Sequence, residues 1–532
     1  MSSAATQLVE RVTARLAPLD HALALAWWEA STHSSPEAGD RRTAADLALR
    51  EALADPEAFA EVRTARDRVA SDPTEPSSTR RALARLHDAM LTHQVPGELR
   101  RSLAERESAV DTRFTEFRAL LGGHPVDDNA LLDVLRRSND SAERREAWEA
   151  GKQVGAEVAD DVRALARLRN EAARALGFRD HFALALTAGE LDEARLLTTL
   201  DEVDQLTATP FREWKAALDD RLALRFGIAP DQLAPWHLDD PFFQDTPIEG
   251  AVDLDPCFEA ADLEALTVRT FDALGLDIGS ALAASDLLPR AGKNQHAFCI
   301  HLDRSGDVRV LANLEPNERW ADTMLHEFGH ATYDLELDRS LPWLLREPAH
   351  PCTTEGIAML FGRLVRDPLW LRDVAGVPAA TLQDLAPRLR SAQRAALLVF
   401  ARWVLVVTHF ERRLYADPDA DLDRIWWDLV ERFQLVRRPA GRRAPDWAAK
   451  IHLAVVPVYY QNYLYGELFA SQLAAALRTR VGGLVDHPAA GALLRDRVFR
   501  PAASARWDHL VEHATGAPLT AGAFAAELGG RP

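Results

Sequence analysis

Lysine is almost absent from this chain, and cysteine and tyrosine are scarce. The 532 residues contain four lysines against 58 arginines, three cysteines and six tyrosines. Three cysteines, at positions 257, 299 and 352, are too few and too widely spaced for a disulfide framework, so we expect a reducing compartment, the cytoplasm. The four lysines, in contrast, become candidates for a specific use.

The chain also lacks positive charge and long apolar runs. Its formal net charge of −19 argues against a nucleic-acid partner and against docking on anionic membranes. The most apolar run, Ala395–Phe410, is short and interrupted by Arg402, so it predicts a buried helix rather than a membrane span. The first twenty residues have no continuous apolar core, and we expect no signal peptide.

Helical periodicity dominates what is present. Apolar residues recur three and four positions apart through Ala142–Phe178 and Leu389–Phe433, as amphipathic helices require. No linker or repeat divides the chain, so residues 1–532 are predicted to form one unit. His296–Leu314 alternates instead and turns at Ser305-Gly306-Asp307, which predicts a β-hairpin. A small sheet there offers an edge to which an extended peptide can add as a strand.

The hairpin is followed by the sequence HEFGH, residues 326–330. Residues four apart share one face of a helix, so His326 and His330 can direct their imidazoles at one metal ion. Glu327 is then turned aside, within reach of a metal-bound water without being a ligand. A catalytic zinc needs a third protein ligand and an open fourth position.

Glu355 is the candidate for that third ligand. It lies 25 residues after His330, in PCTTEGIAMLFGRLV, where nearly every neighbour is apolar or small. A carboxylate in such a stretch needs a partner, and a metal would provide one. The alternative is a glutamate that favours the start of a helix. We expect one Zn²⁺ per chain, bound by His326, His330 and Glu355.

The combination of HEFGH and Glu355 resembles the gluzincin metallopeptidases, in particular the angiotensin-converting-enzyme (peptidyl-dipeptidase) and thimet-oligopeptidase families. Further stretches are similar to segments of the converting enzyme. They are REPAHPCTTEG (346–356), QHAFC (295–299), KIHLAVVPVYYQNYLYGELFASQL (450–473), LALAWWEASTHSSPEA (23–38) and LRNEAARALGF (168–178).

The resemblance implies a mainly α-helical ellipsoid of two lobes around a deep substrate cleft, with the small antiparallel hairpin beside the HExxH helix. The lobes would be interleaved in sequence, with the zinc-binding core at about residues 290–475. Members of the family hydrolyse short peptides. The sequence does not fix the oligomeric state.

The same resemblance implies a role for individual residues. Glu327 would act as general base on the zinc-bound water, and His452 and Tyr463 would stabilise the oxyanion. Lys450 would bind the C-terminal carboxylate of the substrate, which predicts the release of C-terminal dipeptides. Three further substrate-binding residues are implied: His296, Ala297 and Tyr460. His301 would face the other side of the strand and receives no role.

The chain departs from the family pattern at three places. The stretch from Lys450 to the tyrosines is one residue longer than in the converting enzyme, which leaves the choice among Tyr459, Tyr460 and Tyr463 open. Gln461 and Asn462 lie where that enzyme has a chloride-binding arginine, so chloride activation by that route is not expected. Met359 stands where an aspartate would orient a histidine ligand.

Three other functions remain open from the sequence. An oligoendopeptidase would use the same chemistry for internal cleavage, and the direction in which Lys450 points would distinguish the two. A peptide-binding protein that has lost catalysis would be a different class, whereas an enzyme dedicated to one peptide would keep the same chemistry. Loss of catalysis usually removes the base or a ligand, and the candidate base and ligands are all present.

Overall fold

The computed structural model describes residues 3–247 and 252–529. Within these residues nearly all regular structure is helical, and the strands form two antiparallel hairpins. The predicted mainly α-helical class is therefore confirmed. The hairpin predicted within His296–Leu314 is also present and packs against the helix that contains HEFGH.

The elements are numbered along the chain. Those before residue 248 are α1 (Ala4–Thr32), α2 (Pro36–Leu53), α3 (Pro56–Val69), α4 (Ser77–Leu91), α5 (Gly97–Glu116), β1 (Ala119–Leu121), β2 (His124–Val126), α6 (Asp128–Arg137), α7 (Ser141–Gly151), α8 (Gln153–Ala175), α9 (His181–Ala188) and α10 (Glu193–Phe226). Those after residue 251 are α11 (Asp255–Phe258), α12 (Leu263–Asp272), α13 (Gly279–Ala284), β3 (Phe298–His301), β4 (Val308–Leu311), α14 (Glu318–Leu335), α15 (Pro351–Gly362), α16 (Pro368–Asp373), α17 (Ala379–Ala416), α18 (Leu422–Gln434), α19 (His452–Val455), α20 (Tyr460–Val481), α21 (Pro488–Leu494), α22 (Trp507–Thr515) and α23 (Gly522–Leu528).

The first of two compact units contains the described residues of Met1–Gln94, Asp253–Pro387 and Tyr465–Phe524. Its N-terminal helices α1 to α4 pack around a buried apolar cluster that includes Leu83, Leu86 and Leu345. The hairpin β3–β4 and the helices α14 and α15 belong to the same unit. The HEFGH motif and Glu355 therefore lie within one packed body.

The second unit contains the described residues of Val95–Val252, Arg388–Leu464 and Ala525–Pro532. Helices α5 and α8 pack together in it, and α17 supplies a row of buried apolar side chains between Leu397 and Phe410. The buried helix predicted for Ala395–Phe410 is thus confirmed. By length and composition α17 is also the one helix among the described residues that is apolar enough to span a membrane, although 67% of its most apolar window is buried.

Two segments that the sequence predicts to be helical are each interrupted in the structure. The helix predicted for Ala142–Phe178 is two helices, because the N–H of Lys152 bonds to the carbonyl of Glu149 in a tighter turn than an α-helix makes. The helical pattern of Leu389–Phe433 is likewise broken after α17, and Asp421 caps the start of α18 by accepting a hydrogen bond from the Arg424 N–H.

A second hairpin, β1–β2, was not predicted. Leu121 pairs with His124 across the two-residue loop Gly122-Gly123. Both glycines have positive φ, 58° and 80°, as a two-residue hairpin loop requires. The Gly-Gly pair is the signal in the sequence, but the strands on either side have only three residues each. The structure therefore contains one hairpin more than the sequence analysis predicted.

Candidate active site

Helix α14 carries the HEFGH motif. Its start is fixed by Asn317, whose side chain accepts a hydrogen bond from the Trp320 N–H. One turn apart on this helix, the rings of His326 and His330 have centroids 5.0 Å apart. Both imidazoles therefore face the same side of α14, as their spacing predicted.

Helix α15 brings Glu355 to these histidines. The two helices approach closely at Gly329, where a Cβ atom would lie 3.0 Å from the Cα of Ala358. The Nε2 atoms of His326 and His330 lie 3.8 and 4.0 Å from Glu355 Oε2. All three ligand atoms lie within 4.8 Å of one another, so the structure brings the predicted metal ligands together.

This donor set fits zinc. Zinc binds histidine nitrogen and carboxylate oxygen at about 2.0–2.2 Å, so two ligand atoms on one ion are separated by at most about 4.4 Å. The two histidine–glutamate distances fall within that limit. Burial lowers the pKa of His326 to about 4 and that of His330 well below its ordinary value. Both rings are therefore neutral, the form that binds a metal.

Glu327 lies beside the ligands but is not one of them. It is buried on α14, and burial together with the nearby Glu355 raises its pKa to about 8, while a backbone hydrogen bond from Cys299 acts in the opposite direction. Cys299 lies on β3. The hairpin therefore contacts the carboxyl group that the HExxH motif predicts as the base.

Thr354 supports one of the candidate ligands. Its Oγ1 lies 2.6 Å from Nδ1 of His330, the ring nitrogen opposite the one that faces Glu355. A hydrogen bond at that atom fixes the orientation of the ring. Sequence reasoning found only the absence of an aspartate at Met359 and missed Thr354, because its position directly before Glu355 gives no sign that it reaches back to α14.

Helix α20 packs tightly against the third ligand. A Cβ atom on Gly466 would lie 3.0 Å from the Cβ of Glu355 and 3.3 Å from the Sδ of Met359. Gly356 is equally restricted, since its Cβ would lie 2.6 Å from a ring carbon of Phe469. The position of Glu355 therefore depends on small residues at the contact between α15 and α20.

One edge of the hairpin is paired with other backbone, and the other edge has no strand partner among the described residues. The outer edge of β4 bonds to the backbone around Asp286, through Asp286 N–H to Val310 O and Ala312 N–H to Asp286 O. Among the described residues, no further strand pairs with β3. His296 and Ala297 lie directly before β3, and His296 is exposed. This edge is suited to an extended peptide.

His301, which received no role from the sequence, stabilises the hairpin turn. Its Nε2 accepts a hydrogen bond from the N–H of Gly306, which has a φ of 118°. Burial lowers the pKa of His301 to about 4, so the ring is neutral and free to accept. The signal for this contact was the spacing of His301 to the Ser305-Gly306-Asp307 turn.

The second unit holds another set of predicted site residues. His452, the first residue of α19, has its ring 5.2 Å from that of Tyr460, whose ring lies 5.7 Å from Tyr463. Tyr460 is buried against Trp403, whereas Tyr463 is only partly buried. Burial, together with the nearby Lys450, lowers the pKa of His452 to about 4. The position of this set relative to the candidate metal ligands stays a prediction.

Lys450 belongs to the same set and has a neighbour that the sequence did not indicate. Its Nζ donates to Gln244 Oε1 at 2.7 Å, and Asp240 in turn accepts hydrogen bonds from the backbone and side-chain amides of Gln244. Burial lowers the pKa of Lys450. Gln244 is 206 positions away from Lys450 in sequence, so no local pattern links the two residues.

Comparison with known families agrees with this geometry. Residues 290–524 match the family model Peptidase_M2, described as angiotensin-converting enzyme. The matched region is thus that of a gluzincin metallopeptidase, a class that depends on zinc. The predicted resemblance to the angiotensin-converting-enzyme family is therefore confirmed over residues 290–524. The resemblance to thimet oligopeptidase stays a prediction. No curated protein matches the chain.

Proposed function

We propose that this protein is a peptidase that hydrolyses short oligopeptides and releases dipeptides from their C-termini. The observation that carries the proposal is the convergence of His326, His330 and Glu355 beside Glu327, inside the region that matches a metallopeptidase family. We further propose one Zn²⁺ per chain, a single peptidase unit over residues 1–532, a cytoplasmic location, and no nucleic-acid or membrane partner.

Zinc, when bound by these residues, supplies a Lewis acid and an acidified water. Proton transfer and the orientation of the site are the work of side chains of this protein. Glu327 accepts the proton of the attacking water and later donates it to the leaving amine. Its burial and its backbone contact with Cys299 hold the carboxyl group in one place. Thr354 keeps the His330 ring in a single orientation.

His452 and Tyr463 are the proposed donors to the developing oxyanion. Tyr463 is favoured over Tyr460 for this role because its side chain is partly exposed, whereas Tyr460 is buried between His452 and Trp403. Tyr460 is instead proposed to support the bound substrate. His296 and Ala297 are proposed to bind the peptide backbone at the open edge of β3.

Lys450 is proposed to bind the C-terminal carboxylate of the substrate. Gln244 holds its Nζ at 2.7 Å, which fixes the direction of a long and otherwise flexible side chain. Desolvation around Lys450 strengthens its attraction for an incoming carboxylate. This residue supports dipeptide release over internal cleavage, which is the alternative that the same chemistry allows.

The test uses one peptide in two forms, with a free C-terminus and with a C-terminal amide. Each is incubated with the zinc-loaded protein, and the products are identified by mass spectrometry. Release of dipeptides from the free form alone is the expected result. Equal internal cleavage of both forms would establish an oligoendopeptidase and remove the role of Lys450.

Two controls complete this experiment. Glu327→Gln preserves the shape of the side chain but removes the base, and it should abolish cleavage while zinc still binds. Thr64→Ser, a conservative change of an exposed hydroxyl on α3, should leave cleavage unchanged. Absence of cleavage by the wild-type protein with zinc bound would favour the non-catalytic, peptide-binding alternative.

A further inference from the structure

The segment between Lys450 and Tyr463 contains a strained residue. Helix α19 ends at Val455 and α20 begins at Tyr460, and Val458 between them has a φ of +56°. This left-handed conformation is rare for any residue other than glycine and rarer still for a β-branched one. Such strain persists only where the surroundings hold the backbone in place.

Glu411 on α17 fixes the backbone at Val458. Its Oε1 accepts a hydrogen bond from the Val458 N–H at 2.6 Å, and the residue is 1% exposed. Its other oxygen, Oε2, has no hydrogen-bond partner among the described residues. Burial of a carboxyl group with one oxygen unpaired costs free energy, which the hydrogen bond to Val458 offsets only in part. The charged and titratable groups that face it are Arg169, Tyr415 and Tyr460.

A second contact fixes the other end of the turn, at Ala454. Arg169 on α8 donates to the carbonyl of Ala454, to Glu107 and to the hydroxyl of Tyr415. Tyr415 lies one turn after Glu411 on α17. The chain from Ala454 to Val458 is therefore fixed at both ends, with α17 taking part in each contact.

We propose that Glu411 is a positioning residue for the cluster of His452, Tyr460 and Tyr463. By bonding the Val458 N–H it fixes the turn that joins α19 to α20, and so sets the first turn of α20, where both tyrosines lie. The inference rests on the proposed function, because the cluster is proposed to act on the substrate. In this role Glu411 aligns the cluster and does not contact the substrate.

The experiment compares three variants of Glu411 in the full-length, zinc-loaded protein. Glu411→Gln keeps an acceptor at the position of Oε1 and should behave as the wild type. Glu411→Met removes the acceptor at similar length and should lower kcat by about tenfold to a hundredfold, with KM changed by less than about twofold, since misalignment acts on the transition state. Glu411→Asp withdraws the acceptor but keeps the carboxyl group, and should also lower kcat.

Hydrogen exchange measured by mass spectrometry provides a readout besides activity. Peptides that span residues 451–463 should exchange faster in Glu411→Met and Glu411→Asp than in the wild type, and at the wild-type rate in Glu411→Gln. The control is Asp219→Leu, which breaks a partly buried ion pair with Lys215 in the same unit. It should lower stability without changing kcat or exchange in the 451–463 segment.

The outcomes separate this inference from the proposed function. If the wild type hydrolyses no peptide, the proposed function fails, and exchange alone decides whether Glu411 fixes the segment. Unchanged exchange and kcat in Glu411→Met would overturn the inference. So would loss of kcat in Glu411→Gln with retention in Glu411→Asp, because a carboxyl group rather than the hydrogen bond to Val458 would then be required. If Glu411→Met does not fold, the comparison of the Asp and Gln variants decides.

Discussion

Thr354 Oγ1 lies 2.6 Å from Nδ1 of His330, so a hydroxyl group orients this candidate metal ligand. The contact joins the start of α15 to α14, and Thr354 directly precedes Glu355. Two of the three candidate metal ligands are therefore coupled by adjacent residues of one helix.

Removal of this hydroxyl group should weaken zinc binding. Thr354→Val has the same shape but cannot form the hydrogen bond, and partners of this kind contribute about 10- to 100-fold to metal affinity. We expect the zinc dissociation constant, measured by competition with a chelator, to rise by that factor. Thr354→Ser keeps the hydroxyl group and is the matched control. Equal affinities for the Val and Ser variants would contradict the role of the hydrogen bond.

Gly466 should tolerate no larger side chain. A Cβ atom there would lie 3.0 Å from the Cβ of Glu355 and 3.2 Å from the backbone nitrogen of Gly356. We expect Gly466→Ala to lower the free energy of unfolding by about 1–3 kcal/mol and to weaken zinc binding, because overpacking displaces the ligand. Denaturant unfolding and chelator competition measure the two effects.

The control for that substitution is Gly39→Ala. Gly39 also lies inside a helix, α2, but a Cβ atom there would meet nothing within 4 Å. This change should stabilise the protein by about 0.5–1 kcal/mol, since alanine favours the helix over glycine. Unchanged zinc binding by Gly466→Ala would show that Glu355 adapts to the added methyl group.

Much of the candidate site could be predicted because its signals are local. The i, i+4 spacing of His326 and His330 and the alternating pattern around Phe298 and Val308 each depend on neighbouring residues alone. Thr354, Gln244 and Glu411 could not be found this way. Each acts on a residue far away in sequence, and only the packing of two helices or of a loop on a helix places its oxygen or amide within hydrogen-bond distance.

Lys450 should decide which end of a peptide the enzyme recognises. Lys450→Met keeps most of the apolar stem but removes the charge that is proposed to bind the C-terminal carboxylate. We expect kcat/KM for a free-carboxyl peptide to fall about 100-fold or more, as expected for the loss of a desolvated charge pair. The amidated peptide, which the wild type is not expected to cleave, should stay intact. An unchanged kcat/KM for the free-carboxyl peptide, measured by product chromatography, would show that Lys450 does not bind the carboxylate.

Glu411 should also make stability depend on pH. Burial raises its pKa from an ordinary 4.5 to about 8, with the Val458 N–H and Arg169 opposing the shift. Between about pH 4.5 and pH 8 the folded protein keeps a proton on this group that the unfolded chain has released, so the group lowers stability progressively as pH rises through that window. Above about pH 8 both states are ionised and the effect is constant.

Glu411→Gln removes the titration while keeping the acceptor. Its free energy of unfolding, relative to the wild type, should therefore increase from pH 5 to pH 8 and then level off. Denaturant unfolding at pH 5, 7 and 9 measures this difference, and a value independent of pH would show that Glu411 has an unshifted pKa in the folded protein.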